Sequence, residues 1–297
     1  VAVADSGLDT GNANTVHQDV RGRIAQAFGL GRPGNWSDPN GHGTHVTGSV
    51  LGNGSRSGAI PANHQYAGSA AGSAPEAQLV MQSLLDANGG LGGIPDDLNQ
   101  LFQQAYDAGA RIHTNSWGAD VAGDYTLDAQ NVDLFSWNHK DMTILFAAGN
   151  AGEDRNLNGV IDLDSLNSPG TAKNSITVGA SESQRTTDSS DIWRWYGYLA
   201  NPIRDDLVSN NHWGMAAFSS RGPTDDNRIK PDVVTPGVNI RSLRSSLTSG
   251  SGDYLLESGT SMATPLTAGM TALIRQWYVD NKGVANPSAA LIKATLL

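Results

Sequence analysis

The chain has 297 residues, a net charge of -10 with only 19 Lys and Arg, and 35 Gly. This length is enough for a large α/β domain, and the many glycines suit a compact fold with tight turns. The acidic balance argues against a nucleic-acid or anionic-membrane partner. The absence of Cys excludes disulfides, a thiol nucleophile and thiolate metal sites. No apolar run approaches the roughly 18 residues that a membrane-spanning helix needs.

The first predicted strand, residues 1–4, is a short apolar run that ends at Asp5 in the sequence VAVADSG. Because α/β sheets place ligands and catalytic groups at the carboxyl ends of parallel strands, Asp5 is a candidate functional carboxylate. An ordinary turn Asp before Gly is the alternative. The chain opens in mid-strand and stops within an amphipathic helix, so we expect any targeting signal or pro-segment to lie outside it.

The next signal is NGHGTHVTGSVLG, in which Gly41 and Gly43 flank His42 and residues 44–51 predict a helix of small residues. This pattern predicts an imidazole held at a helix entry with little bulk around it. His42 and His45 also share a helix face, so a metal site is the alternative. The HExxH zinc helix carries a Glu that this stretch lacks.

From residue 77 onwards, predicted strands and amphipathic helices alternate. The helices lie at 94–106 and 126–139, and the strands at 77–85, 111–114, 143–148, 175–180 and 233–235. Alternation of this kind predicts a doubly wound, mostly parallel sheet with helices on both faces, which is a three-layer αβα fold. No internal repeat or linker divides the chain, so we expect one domain over residues 1–297.

Asn150 follows the apolar strand TILFAAG. Its side-chain N–H₂ is suited to donate to a developing oxyanion, and an ordinary turn Asn is the alternative.

The stretch DRNLNGVIDLDS, residues 154–165, follows the calcium-loop pattern in most positions. Oxygen-bearing side chains stand at loop positions 1, 3, 5 and 9, Gly159 stands at the sharp-turn position 6, and a carbonyl is available at position 7. Position 12 is Ser165 instead of Glu, so we expect Asp164 to supply the missing carboxylate. We therefore predict a structural calcium site, and a solvated acidic turn is the alternative. The predicted ligands are Asp154, Asn156, Asn158, Val160, Asp162 and Asp164.

Residues 182–217 form a long polar insertion that is rich in aromatic side chains, namely Trp193, Trp195, Tyr196, Tyr198 and Trp213. Aromatics at this density need a surface to pack on, which predicts that they fix the insertion to the domain. A substrate-contacting lid and a second cation site on Asp205 and Asp206 are the alternatives.

The stretch ESGTSMATP runs into an apolar-periodic segment, which predicts a helix of about four to five turns that begins at or just after Ser261. Free backbone N–H groups and the positive end of the helix dipole lie there, which suits a group that carries an oxyanion. Most serines in this position are only N-caps. The presence of Asp5, His42 and Asn150, each at a strand end or a helix start, favours a catalytic serine.

These motifs resemble the subtilisin-like serine proteases, the subtilases of peptidase family S8. The resemblance rests on VAVADSG, NGHGTHVTGS, TILFAAGN, FSSRGPT, IKPDVVTPG and GTSMATP, which are spread from Val1 to Pro265. The candidate residues follow the chain order Asp, His, Ser that is known for subtilisin. ARIHTNSWG, TILFAAGN and IKPDVV are most similar to alkaline, oxidatively stable or halophile-type members.

The resemblance implies a secreted serine endopeptidase that works through an acyl-enzyme. Ser261 would be the nucleophile, His42 the general base and acid, and Asp5 the group that orients the imidazole and stabilises its charged form. Asn150 and the backbone N–H of Ser261 would form the oxyanion hole.

The resemblance also implies that an extended protein or peptide substrate binds as an added strand between two segments. The side chain before the cut would enter a pocket lined by residues 116–118 and 147–150. Since these segments hold no charged residue, we expect broad, apolar-leaning specificity for a monomeric enzyme with its pro-segment outside this chain. A catalytically silent peptide-binding domain and a metallohydrolase on His42 and His45 are the alternatives. The substrate-contacting residues would be Leu91, Gly92, Gly93, Ser116, Trp117, Gly118, Ala147, Ala148 and Gly149.

Overall fold

The structure, a computed structural model, describes residues 1–184 and 193–297. Its strands are β1 (Ala2–Asp5), β2 (Ile24–Gly29), β3 (Leu79–Ser83), β4 (Ile112–Asn115), β5 (Ala119–Asp120), β6 (Thr143–Ala147), β7 (Asn167–Ser168), β8 (Ile176–Ser181), β9 (Val233–Pro236), β10 (Ile240–Leu243) and β11 (Tyr254–Glu257). Seven of them form one sheet in the order β2-β3-β1-β4-β6-β8-β9. Every pairing in this sheet is parallel. The pairs β5–β7 and β10–β11 are antiparallel.

Helices cover both faces of the sheet. They are α1 (His42–Leu51), α2 (Leu98–Asp107), α3 (Leu127–Asn138), α4 (Thr260–Lys282) and α5 (Ala289–Leu296). The apolar residues of α1 and α4 belong to one buried cluster, and those of α2 and α3 belong to the other. The predicted three-layer αβα fold is therefore confirmed.

The central strand β1 shows how the sequence fixes the position of the site. Because side chains alternate between the faces of a strand, Val3 packs into the α1–α4 cluster while Ala2 and Ala4 pack into the α2–α3 cluster. Strands that are buried on both faces are typically rich in apolar residues, and this one is apolar until Asp5. Asp5 thus lies at the carboxyl edge, between the ends of β3 and β4.

Several element boundaries differ from the sequence prediction. Strand β2 was not predicted, because an edge strand with the half-exposed sequence IAQAFG carries little apolar signal. Helix α2 begins at Leu98, where Asp97 caps it, rather than at Ile94. Helix α4 has 23 residues, more than the predicted four to five turns, because it continues to a left-handed Gly283.

The aromatic insertion is partly fixed to the domain. Residues 185–192 of it lie outside the described residues. The Trp195 ring lies 5.7 Å from that of Phe218, and the Tyr198 hydroxyl donates to the Gly152 carbonyl at 2.9 Å. The other three aromatics are exposed, at 64% for Trp193, 66% for Tyr196 and 87% for Trp213.

Within residues 1–184 and 193–297, none of the helices combines the length and the apolar character that crossing a membrane would require.

Candidate active site

The carboxyl edge of the sheet brings Asp5 and His42 together. His42 Nδ1 lies 2.7 Å from Asp5 Oδ1, which also accepts the Ser6 backbone N–H at 2.7 Å. Asp5 is 2% exposed, and its Oδ2 has no hydrogen-bond partner among the described residues. Since the Asp5 carboxylate accepts only, the imidazole must carry a hydrogen on Nδ1, which leaves Nε2 as an acceptor in the neutral ring.

The start of α1 explains why His42 reaches Asp5. Buried Asp38 accepts the N–H of Gly41 and the N–H of Thr44, each at 2.8 Å, while Ser6 Oγ accepts the N–H of Gly43 at 2.8 Å. These acceptors satisfy first-turn donors that would otherwise be unpaired, and a carboxylate is favoured at this end of a helix. The helix therefore begins at His42, two residues before the predicted start.

A glycine at position 43 is required by this close packing. A Cβ there would lie 2.8 Å from the Gly7 backbone nitrogen and closer still to the Gly7 carbonyl oxygen. Only glycine lets the first turn of α1 approach the Asp5–Gly7 turn this closely.

Ser261 is the second residue of α4, and a proline affects its surroundings. Pro265 has no N–H to give to the carbonyl four residues earlier, which belongs to Ser261. That carbonyl instead accepts the Ser116 hydroxyl at 2.9 Å, and the Ser261 hydroxyl donates to the Ser116 carbonyl at 3.1 Å. Within the described residues no hydrogen bond joins Ser261 to His42. The Ser261 hydroxyl is bonded to the Ser116 carbonyl instead.

Asn150 is oriented by the start of α4. Its Oδ1 accepts the Thr260 N–H at 2.9 Å and the Thr260 hydroxyl at 3.0 Å. Because the oxygen is committed to Thr260, the N–H₂ group is left as the free donor end of this side chain. Gly149 before it has φ +108°, and a Cβ there would clash with the Asn167 side chain.

Two cavities meet at Ser116. One, of about 280 Å³, includes Asp5, His42 and Leu91 in its wall. The other, of about 170 Å³, is lined by Ser116, Trp117, Gly118, Ala147, Gly149, Asn150, Asn167, Thr260 and Ser261. The second cavity has no charged residue in its wall, and it opens beside both Ser261 and Asn150.

Only some of the predicted substrate-contacting residues line the two cavities. Leu91 lines the first cavity and Ser116 lines both, but Gly92 and Gly93 line neither. The Gly93 N–H donates to the Leu84 carbonyl at 2.8 Å, so it is already paired. Ala148 is fully buried and donates to the Val178 carbonyl.

Negative charge around His42 stabilises its protonated form. Burial lowers the pKa of His42, but the charge and hydrogen bond of Asp5, assisted by the charges of Glu257 and Asp38, raise it on balance to about 9. The ring is 32% exposed, so it remains accessible to a bound molecule. A base of this kind is neutral, and able to take a proton, only in alkaline solution.

Replacing Glu257 with Gln is expected to move the acidic limb of the pH profile of kcat/KM to lower pH. Removing a negative charge near His42 lowers the pKa of the imidazole, so the neutral base forms at lower pH. We expect a shift on the order of half a pH unit. Glu153→Gln removes the same charge from a side chain that is 61% exposed and paired with Arg155. A profile that moves equally in both variants, or in neither, would contradict this role of Glu257.

The predicted alternative of a metal site on His42 and His45 does not fit the geometry. His45 is fully buried, and its Nε2 lies 3.0 Å from the Ile240 carbonyl. Burial lowers the pKa of His45 to about 4, so the ring is a neutral structural group. In the part of the chain that the structure describes, no group of three or more His, Asp or Glu side chains is arranged to hold a metal ion.

The predicted calcium loop is organised around Asp154. Its two carboxylate oxygens accept the N–H of Asn158 at 3.0 Å and the N–H of Gly159 at 2.9 Å. Asp162 Oδ1 accepts from the Asn156 amide at 3.2 Å, which joins loop positions 3 and 9. The loop therefore places four oxygen-bearing side chains around one turn.

The C-terminal end of this loop has other contacts. The Ser165 hydroxyl accepts the Arg221 N–H at 2.9 Å, so it faces away from the loop's own ligands. Asp164 lies beside Gly123 and Asp225, with its Oδ1 3.0 Å from where a Gly123 Cβ would be. The Val160 N–H donates to Asn158 Oδ1 at 2.8 Å. The alternative cation site is occupied by protein partners, since Asp205 pairs with Arg204 and Asp206 accepts from Leu207.

Sequence reasoning missed several residues of the site. Asp38 caps α1, and its signal was an Asp four residues before His42 in SDPNGHGT. Asn167 and Thr260 line the smaller cavity, but no sequence spacing links them to Asn150, because the contact depends on the fold.

A parallel sheet with an Asp–His pair at its carboxyl edge, and a serine at a helix start beside them, is the arrangement of a subtilisin-like hydrolase. The whole chain, residues 1–297, matches the model of the Subtilase family, Peptidase S8. The chain belongs to this family of serine proteases.

Related serine proteases agree with this assignment. The chain is 33% identical to the serine protease AprX of Bacillus subtilis, over 94% of this chain and 57% of AprX. It is 30% identical to the serine protease/ABC transporter B family protein tagD of Dictyostelium discoideum, over 100% of this chain and 20% of tagD. The chain therefore spans only a fifth to somewhat over half of these relatives' lengths.

Solved structures show the same fold. The S41 psychrophilic protease matches with a TM-score of 0.65 at 25% identity, over 99% of this chain and 80% of that one. Sphericase matches with a TM-score of 0.64 at 24% identity, over 99% of this chain and 81% of that one. With the family established, the metallohydrolase alternative is wrong.

Proposed function

We propose that this chain is a serine endopeptidase that cleaves peptide bonds with Ser261 as nucleophile, His42 as general base and Asp5 as the orienting carboxylate. The observation that carries the proposal is the 2.7 Å hydrogen bond between His42 Nδ1 and Asp5 Oδ1. It fixes the ring tautomer and leaves Nε2 to take a proton. Ser261 stands at the same sheet edge, at the positive end of a helix that is 23 residues long.

In the proposed reaction, the Ser261 hydroxyl first leaves the Ser116 carbonyl and turns to His42 Nε2. Its oxygen attacks the scissile carbonyl while the imidazole takes its proton. The imidazolium, stabilised by Asp5, then gives that proton to the leaving amine, and an acyl-enzyme remains. Water enters by the same route in reverse: the imidazole takes its proton, the hydroxide attacks the ester, and Ser261 regains its hydrogen.

The developing oxyanion is proposed to lie between Asn150 Nδ2 and the Ser261 backbone N–H. Support comes from the Asn150 side chain, whose oxygen is held by Thr260 so that its N–H₂ is the free end. Donors that are already oriented stabilise charge without the cost of reorganisation during the reaction.

Asn150→Leu is expected to lower kcat by roughly 10²–10³-fold, the range found for the corresponding donor in subtilisin, with little change in KM. The reason is that the donor acts mainly in the transition state. Asn150→Asp is the matched variant, because it keeps an acceptor for Thr260 but removes the donor. It should lose activity as well. Full activity of Asn150→Asp would show that Asn150 serves only to hold Thr260.

The substrate is proposed to be an extended peptide that passes Ser116, with the side chain before the cut in the 170 Å³ cavity. The uncharged wall of that cavity supports apolar-leaning and broad specificity. Secretion, action as a monomer and a pro-segment outside this chain stay predictions of the family resemblance.

Calcium bound at residues 154–165 is proposed to stabilise the fold. Support comes from the oxygen-rich donor set and the turn around Asp154, with Asp154, Asn156, Asn158 and Asp162 as proposed side-chain ligands and Val160 as a proposed carbonyl ligand. Since the described residues hold no preformed group of three carboxylates, the cation would draw these oxygens together when it binds. Asp164 is the proposed additional carboxylate.

A chelator is expected to lower Tm by several degrees, because a metal that binds only the folded state stabilises it by mass action. The double variant Asp154→Ala, Asp162→Ala should have a lower Tm than the parent without chelator. Adding chelator should not lower its Tm further. Asp205→Ala, which alters an exposed carboxylate paired with Arg204, is the control and should respond normally. An unchanged calcium response in the double variant would refute the proposed site.

The proposed function is tested by a serine-directed phosphonate and an unstructured protein substrate. We expect one phosphonate adduct on Ser261 and parallel loss of cleavage. A silent peptide-binding domain would give neither an adduct nor cleavage.

A further inference from the structure

A third concavity lies away from the two cavities at Ser116 and shares no lining residue with them. It has a volume of about 250 Å³. We call it the arginine pocket and define it by His17, Arg21, Arg56 and Arg244, together with the carboxylates Asp9 and Asp253. Three arginines thus line one concavity in a chain whose net charge is -10.

Two of these guanidinium groups have no carboxylate partner among the described residues. Arg21 donates to the Val16 carbonyl at 2.8 Å, and Arg244 donates to the Gly252 carbonyl at 2.7 Å. Only Arg56 is ion-paired, with Asp253 at 3.1 Å. A guanidinium has five N–H donors, so the carbonyl contacts leave Arg21 and Arg244 with donors and full charge to offer a ligand.

The acidic side chains in the wall are already engaged. Asp9 is 2% exposed, and its Oδ1 accepts both the N–H and the hydroxyl of Ser246. Asp253 is held by Arg56. Asp9 keeps its charge, because its donors from Ser246 are neutral, so three arginines and two carboxylates leave a net charge of +1 on the wall.

His17 is a further residue of this wall. Its Nδ1 accepts the Asp19 N–H at 3.2 Å, so the neutral ring carries its hydrogen on Nε2. The residue is 9% exposed, and Nε2 is buried with no hydrogen-bond partner in the described ranges. A buried N–H without an acceptor is destabilising, and a turn of the ring toward an anion in the pocket would give it one.

From these contacts we propose that the arginine pocket binds a small tetrahedral oxyanion, phosphate or sulfate. Guanidinium groups match the oxygen spacing of such anions and bind them with charge-assisted hydrogen bonds. The bound anion would link Arg21, three residues before β2, to Arg244, which directly follows β10. It would therefore stabilise the folded chain without touching the residues of the proposed reaction.

The test is a titration of Tm with sodium phosphate, sulfate or acetate at millimolar concentration, with chloride keeping the ionic strength constant. It uses the Ser261→Ala chain so that self-digestion does not interfere. If the anion binds at a specific site, Tm rises with anion concentration and then reaches a plateau. If phosphate or sulfate acts only because it is excluded from the protein surface, Tm keeps rising without a plateau. We expect saturation with phosphate, sulfate or both, and none with acetate.

Two variants locate the effect. Arg244→Gln and Arg21→Gln should each lower the affinity for the anion roughly tenfold or more, which corresponds to the loss of about one charge-assisted hydrogen bond. Arg241→Gln is the matched control, because this arginine lies over the Tyr254 ring, three residues before Arg244 and outside the pocket. It should keep the full response.

Three results would overturn the proposal: no saturable rise, an equal rise with acetate, or an unchanged affinity in Arg21→Gln, which tests the site even if Arg244→Gln fails to fold. Nitrogen NMR of the His17 ring gives a second readout. We expect the hydrogen on Nε2, and a resonance shift on adding phosphate that Arg21→Gln reduces. If the His17 nitrogen resonances do not change when phosphate is added, His17 does not contact the anion.

Discussion

Alanine at position 261 is expected to lower kcat by about 10⁶-fold, the size found when the corresponding serine is removed from subtilisin. The loss is large because the neighbouring hydroxyl at the start of α4, that of Thr260, donates to Asn150 Oδ1 at 3.0 Å and so does not replace Ser261. What remains should be the slow attack of water, assisted by the donors around Asn150. KM should change little, since the Ser261 hydroxyl acts in the chemical step and contributes little to ground-state binding.

Ser258→Ala is the matched control for this variant. Ser258 lies three residues earlier, and its Oγ accepts the Asn239 N–H at 2.9 Å. Its loss should affect local stability slightly and leave kcat within a few-fold of the parent. Single-turnover measurement with a peptide ester separates acylation from product release. Substantial cleavage by Ser261→Ala would mean that a different group attacks the carbonyl.

The fold was predictable because apolar strand patterns recur along the chain. Most buried strands of the parallel sheet are rich in apolar residues on both faces, so strands such as β6 stand out as continuous apolar runs, although the buried strand β4 has the polar sequence IHTN. Strand β2 escaped prediction because one of its edges is open to solvent and half of its side chains need not be apolar. The hairpin β10–β11 is likewise half-exposed.

The site was predictable only in part. Asp5, His42, Asn150 and Ser261 end strands or begin helices, and parallel topology brings such positions to one edge. The network around Asp38 was not predictable, because its partners are N–H groups whose positions exist only after α1 has docked on the Asp5–Gly7 turn. The arginine pocket has no sequence signal at all, since Arg21 and Arg56 are 35 positions apart and Arg56 and Arg244 are 188 positions apart.

Alanine at position 5 is expected to lower kcat by about 10⁴-fold, comparable to the loss of the corresponding carboxylate in subtilisin. Asp5 has two effects on His42: its Oδ1 accepts the Nδ1 hydrogen, and its charge stabilises the imidazolium. Alanine removes both, so the ring is free to turn and to carry its hydrogen on the wrong nitrogen. The pKa of His42 should fall at the same time, which moves the acidic limb of the kcat/KM profile to lower pH.

Asparagine at position 5 separates the two effects. The Ser6 N–H donates to Oδ1 at 2.7 Å, so the amide oxygen of the variant is selected for that place and still accepts from His42. Only the charge is lost. The charge of Asp5 and its hydrogen bond are separate causes of the raised pKa of His42, and the variant keeps only the hydrogen bond. Asp5→Asn should therefore retain more activity than Asp5→Ala on the alkaline plateau, by roughly tenfold, the size of about one hydrogen bond. If the two variants are equally inactive, the Ser6 N–H does not fix the amide, and the orientation of the ring depends on the full carboxylate.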